Sequence, residues 1–166
     1  MLAIALIVLG IFSRVFFHVG NFTPVLAIAI FAGVYLPRRI SVLVPLALFI
    51  ISDLIIGFHQ TLPFTWGSIV LIALIGWKVR SHKTVGTVAL GSLAAAVLFY
   101  IVTNFGVWAV TGMYPKTLAG LGECFTAGIP FFRFTLVSTF IYVVVLFGLY
   151  EWVALKVRNT KLAKAL

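Results

Sequence analysis

The chain has 166 residues, of which 63% are hydrophobic and only 9% charged, and its formal net charge is +9. A mean hydropathy of +1.24 excludes a soluble globular domain and predicts an all-α integral membrane protein. The single cysteine, Cys124, excludes an internal disulfide and a multi-cysteine metal site. In this setting the basic residues meet anionic lipid headgroups and set orientation, and no nucleic-acid partner is expected.

A helix needs about 20 apolar residues, in a range of about 17 to 25, to cross the hydrocarbon layer, and six segments fit, some only loosely. The first runs from Leu2 to His18; it resembles a signal-peptide core but lacks a basic flank and a small-residue cleavage site, so it reads as a retained span. The second, Pro24 to Leu36, follows the N-cap and first-position pair Thr23-Pro24. It is short, so it must tilt, thin the bilayer or sit inside a bundle. Spans from Ser41 to Phe58 and from Phe64 to Val79 follow, separated by the turn Gln60-Thr61-Leu62-Pro63. The fifth runs from Thr84 to Thr111 and the sixth from Pro130 to Val157. Gly112 to Gly128 then reads as the longest connection, the one loop with room to act as a lid. The apolar runs are continuous rather than alternating, which favours helices over barrel strands. No polar stretch divides the chain, so residues 1–166 read as one transmembrane domain.

Arg38 and Arg39 follow the second span, Lys78, Arg80 and Lys83 the fourth, and Lys156, Arg158, Lys161 and Lys164 the sixth. With six alternating helices all of these fall on one side, and only Arg14, Lys116 and Arg133 on the other. The positive-inside rule then places both termini in the cytoplasm.

That topology gathers the unusual residues at the outer face. Arg14 and His18 are four apart near the outer end of the first span, with Asn21 in the loop beyond. Asp53 lies near the outer end of the third, with His59 in the next loop. Tyr100, Asn104 and Trp108 repeat every four residues on the fifth. Tyr114, Lys116 and Cys124 fall in the loop, and Arg133 lies just inside the sixth. A charge at membrane depth is costly and normally faces protein or a polar cavity, where it is paired. Each residue also has a plainer reading. Arg14 and Asp53 can be a structural ion pair, Arg133 can reach headgroups, Trp108 and Tyr114 can be interfacial aromatics, and each histidine can be a satisfied loop-end residue. Their convergence predicts a concave polar and aromatic pocket opening outward. The substrate-binding candidates are Arg14, His18, Asn21, Asp53, Tyr100, Asn104, Trp108, Tyr114, Lys116, Cys124 and Arg133.

No phosphate loop, HExxH or GxSxG motif is present, so neither an enzyme nor a self-powered ATPase is indicated, and no cofactor or metal is expected. Cys124 with a histidine and Asp53 could form a thiol triad, which keeps a membrane thiol enzyme as a third reading. The small-residue pairs Ala29-x-x-x-Gly33 and Gly91-x-x-x-Ala95 allow close helix approach, either within the bundle or toward another membrane protein.

Several strings together carry a resemblance: Arg14 with Asn21-Phe22-Thr23-Pro24, the Ala29 to Gly33 stretch, Ser52-Asp53-Leu54, Thr103-Asn104-Phe105-Gly106, Tyr114-Pro115-Lys116-Thr117, and Ile129-Pro130-Phe131-Phe132-Arg133. They resemble an uncharacterised family of small bacterial membrane proteins that is grouped with the S components of energy-coupling factor (ECF) vitamin transporters. The resemblance implies a six-helix S-component-like bundle in the bacterial cytoplasmic (inner) membrane. It implies capture of a vitamin or related micronutrient at the outer face, and docking on a coupling protein driven by two ATPases. That family's coupling surface uses small residues on the first helix, whereas Ala3, Ala5 and Gly10 here form no clean Ala-x-x-x-Ala. A solitary importer is the other form the resemblance admits. A cobalamin-like corrinoid could then meet Cys124 or an outer histidine, both good transition-metal ligands. Against the importer stands an accessory or scaffolding protein whose charges only hold helices together.

Overall fold

The computed structural model describes residues 2–16 and 21–158. They form six α-helices: α1 (Leu2–Phe16), α2 (Val25–Tyr35), α3 (Arg38–Ile56), α4 (Leu62–Ser81), α5 (Val85–Val110) and α6 (Leu118–Val157). Of these, α3, α4, α5 and α6 are long and apolar enough to cross a membrane, while α1 has 15 residues and α2 has 11. This is an all-helical membrane protein.

The short second segment is the centre of the molecule. A helix that is apolar all round buries all round, and every residue from Val25 to Val34 is buried. The other five helices all touch α2. Neighbours then follow as α1 on α3, α3 on α4, α4 on α5 and α5 on α6, and α1 does not reach α6 among the described residues. Of the ways a short helix can be accommodated, burial within the bundle is the one adopted.

Small residues set the tightest crossing. A Cβ placed on Gly33 would lie 2.4 Å from the Ala73 carbonyl and 2.7 Å from the Gly76 Cα. The backbones of α2 and α4 therefore meet directly. Gly91 packs against the Val79 side chain, and Ala95 and Ala96 are buried. Both small-residue pairs are thus spent inside the bundle, which corrects the alternative of an outward docking face. Arg80 closes the far end of α2, donating to the carbonyl of Val34 at 2.6 Å and to that of Leu36. A cation on the last carbonyls of a helix complements its dipole.

The expectation of a long loop from Gly112 to Gly128 is overturned. The connection ends at Thr117, whose Oγ1 accepts from the Gly120 N–H at 3.1 Å and caps α6. From Leu118 the chain is helical for 40 residues, with Pro130 inside the helix. Pro130 therefore does not start the sixth helix, and residues 118–128 of the segment read as a lid form its first turns. Two of their glycines serve packing: Gly120 sits against the Pro115 carbonyl and Gly128 against Asn104.

Candidate functional site

Arg14, in the last turn of α1, binds across to α3. Its guanidinium donates to Ser52 Oγ at 2.6 Å and to Asp53 Oδ1 at 2.7 Å, and lies 4.0 Å over the Phe49 ring. Phe49, Ser52 and Asp53 are three and four residues apart, so a single face of α3 supplies the aromatic plate, the hydroxyl and the carboxylate. From α4, the Trp66 indole donates to Asp53 Oδ2 at 2.8 Å. Asp53 is only 1% exposed, with both oxygens bonded inside the protein. A carboxylate taken from water is stable only with its charge paired and its lone pairs filled, and this network supplies both. Asp53 therefore holds Arg14, and Arg14 alone of the pair reaches open space.

That space is a cavity of about 580 Å³ at the α1, α3–α4 loop and α5–α6 loop end of the bundle. Arg14, Asn21, Thr23, Thr103, Asn104 and Cys124 give it polar edges, and Phe49, Phe99, Phe131 and Tyr114 give it aromatic walls. Asn104 is held by its own helix, with Nδ2 donating to the Tyr100 carbonyl at 2.8 Å. A Cβ on Gly128 would fall 2.4 Å from Asn104 Oδ1, so the glycine makes room for the amide. Cys124 is buried, and its thiol donates to the Asn104 carbonyl at 3.3 Å. Asn21 adopts a positive φ of 35° where the chain enters α2, a conformation asparagine tolerates better than most residues.

Arg14, Asn21, Asn104, Tyr114 and Cys124 thus come together around one cavity, with His59 beside them. The other residues singled out in the sequence take different places. Asp53 stands behind Arg14. The Tyr100 hydroxyl donates to the Phe125 carbonyl and ties α5 to α6. The Trp108 indole donates to the Pro115 carbonyl at 2.9 Å, and Lys116 donates to the carbonyls of Trp108 and Thr111, so these two stitch the turn between α5 and α6. Arg133 is exposed and does not line the cavity. His18 lies outside the described residues.

Thr135 lines the cavity and begins a buried stripe that Ser138 and Thr139 continue, each hydroxyl donating to a carbonyl of its own helix. No group of three histidine, cysteine or acidic residues could hold a metal ion among the described residues. Among the described residues a thiol triad is not assembled either, because Asp53 is fully engaged by Arg14 and Trp66.

Sequence reasoning missed Trp66 as a partner of Asp53, since no periodicity links residues on two different helices. It also missed a second polar cluster at the opposite end of the bundle. There the Tyr35 hydroxyl donates to Glu151 Oε1, Lys83 pairs with the same oxygen, and Lys83 lies 4.7 Å over the Tyr35 ring. The available signal was Glu151 itself, one of only three acidic residues in the chain.

No curated protein and no solved structure matches this chain. The family of unknown function DUF6580 matches residues 1–162, nearly its whole length, and the chain belongs to that family.

Proposed function

We propose that this protein is a multi-pass importer of the bacterial cytoplasmic membrane, S-component-like, that captures a vitamin or related micronutrient at its outer face. The observation that carries the reading is the cavity: about 580 Å³, with one restrained guanidinium, two amides and aromatic walls at a single end of the bundle. Pockets of about 300–1,000 Å³ with a few convergent polar groups hold drug-sized ligands. That volume favours a compact micronutrient over a corrinoid. In this reading all six helices cross or fill the membrane, and both termini are cytoplasmic. The clustering of Arg38, Lys78, Lys83 and Lys156 at the end opposite the cavity supports that orientation. Energy comes from a partner coupling protein and its ATPases, or the chain acts alone. Gly10 packs into Leu48 of α3, so the coupling surface on α1 is its exposed apolar side, around Ile4, Val8 and Phe12.

One observation favours an accessory role instead: the Arg14–Asp53 pair is satisfied entirely within the protein. Import assays separate the two readings. Cells producing the wild-type chain should accumulate a small molecule that mass spectrometry of cell extracts detects, and cells producing Asn104→Ala at equal membrane levels should not. Identical extracts from wild-type cells and cells lacking the chain would leave the accessory reading standing.

A further inference from the structure

At the end of the bundle opposite the cavity, α5 and α6 part to leave a lateral groove of about 490 Å³. Its walls are apolar, from Val88, Phe140, Val143, Val144 and Phe147, and its mouth carries Tyr35, Lys83 and Glu151. The walls belong to two long apolar helices, and Val144 is 71% exposed, so the groove faces the hydrocarbon layer. The mouth lies at the level of Arg80 and Lys156, where headgroups meet basic side chains.

The charges at the mouth narrow the occupant. Lys83 and Glu151 are both close to half exposed, at 40% and 48%. All the bonds between them and Tyr35 fall on Glu151 Oε1 and the Tyr35 oxygen. Among the described residues Oε2 of Glu151 is left without a hydrogen bond, and a lysine ammonium has three N–H donors of which two are used. The mouth therefore offers one free cationic donor beside one free anionic acceptor. An anionic headgroup meets only the first and opposes the second. A trimethylammonium headgroup has no N–H to give to the carboxylate. A phosphate beside a primary ammonium matches both.

We propose that this groove binds one phosphatidylethanolamine molecule, with an acyl chain between α5 and α6, its phosphate on Lys83 and its ammonium on Glu151. The site is independent of the outer cavity and of the function assigned to it.

The test is native mass spectrometry of the full chain in detergent, titrated with an equimolar mixture of phosphatidylethanolamine, phosphatidylcholine and phosphatidylglycerol of identical acyl chains. Wild type should retain one phosphatidylethanolamine at least tenfold over either competitor. Gly148→Leu should lose that retention. Gly148 lines the groove and a Cβ there meets nothing within 4 Å, so the new side chain enters the groove without disturbing the bundle. Glu151→Gln should keep lipid in the groove but lose the tenfold preference. Equal retention of the three lipids by wild type would overturn the assignment, as would a preference that survives both substitutions. A co-purifying membrane protein that Gly148→Leu releases would also overturn it, in favour of a protein partner.

Discussion

Asp53 and Arg14 divide a task that a sequence reading gives to both. The carboxylate is fully enclosed and supplies orientation, whereas the guanidinium is clamped between Ser52, Asp53 and Phe49 and keeps an edge toward the cavity. Removing one member of a buried pair strands the other and costs about 3–5 kcal/mol, whereas replacing both with apolar residues is often neutral. Asp53→Ala should accordingly lower the apparent melting temperature in detergent sharply, and Arg14→Met combined with Asp53→Leu should recover most of the loss. Equal destabilisation by the single and double variants would show that the pair does not act as a unit. The pair itself was legible in the sequence because charges are scarce in an apolar chain and must find one another. Ser52 and Trp66 were not, because a hydroxyl and an indole are unremarkable in a membrane helix until a third residue gives them a partner.

Helices were legible as apolar runs, but their ends and their neighbours were less so. The start of α6 was misplaced because Gly112, Gly120, Gly122 and Gly128 give the segment the composition of a loop and Pro130 looks like a first helical residue. The Thr117 cap and the packing of Gly128 on Asn104 decide otherwise. The small-residue pairs were visible in the sequence, while the choice between bundle and partner depended on which helix they meet. Gly33 meets Gly76, and any added Cβ forces the α2 and α4 backbones apart. Gly33→Ala should therefore cost at least the 1–3 kcal/mol typical of an overpacked core. Gly67, also on α4, has nothing within 4 Å of its missing Cβ. Gly67→Ala should be neutral or stabilise by roughly 0.5–1 kcal/mol through helix propensity. Detergent unfolding curves of the two variants compare them directly, and equal losses would contradict the close α2–α4 approach.

The described helices form an open ring, unclosed between α1 and α6, around a short helix buried from Val25 to Val34, with a polar cavity at one end and a charged cluster at the other. Composition alone foretold a helical membrane protein. It could not foretell that α2 is central, because a short apolar run reads the same whether lipid or protein surrounds it. The proposed orientation puts Lys83 and Lys116, which flank α5, on opposite faces of the membrane. In a Cys124→Ser background, Lys116→Cys should react with an impermeant thiol reagent added to intact cells, and Lys83→Cys only after the membrane is opened. Labelling of both from outside would reject the six-span arrangement.

Most depends on the cavity being a binding site, and native mass spectrometry of protein purified in mild detergent from its own membranes addresses that directly. Wild type should carry a small molecule in addition to lipid, and Arg14→Lys, which keeps a cation beside Asp53 but loses the planar fork, and Asn104→Ala should each reduce its occupancy at least tenfold while remaining folded. A wild-type spectrum with no such adduct, or an adduct held equally by both variants, would contradict a ligand seated between Arg14 and Asn104.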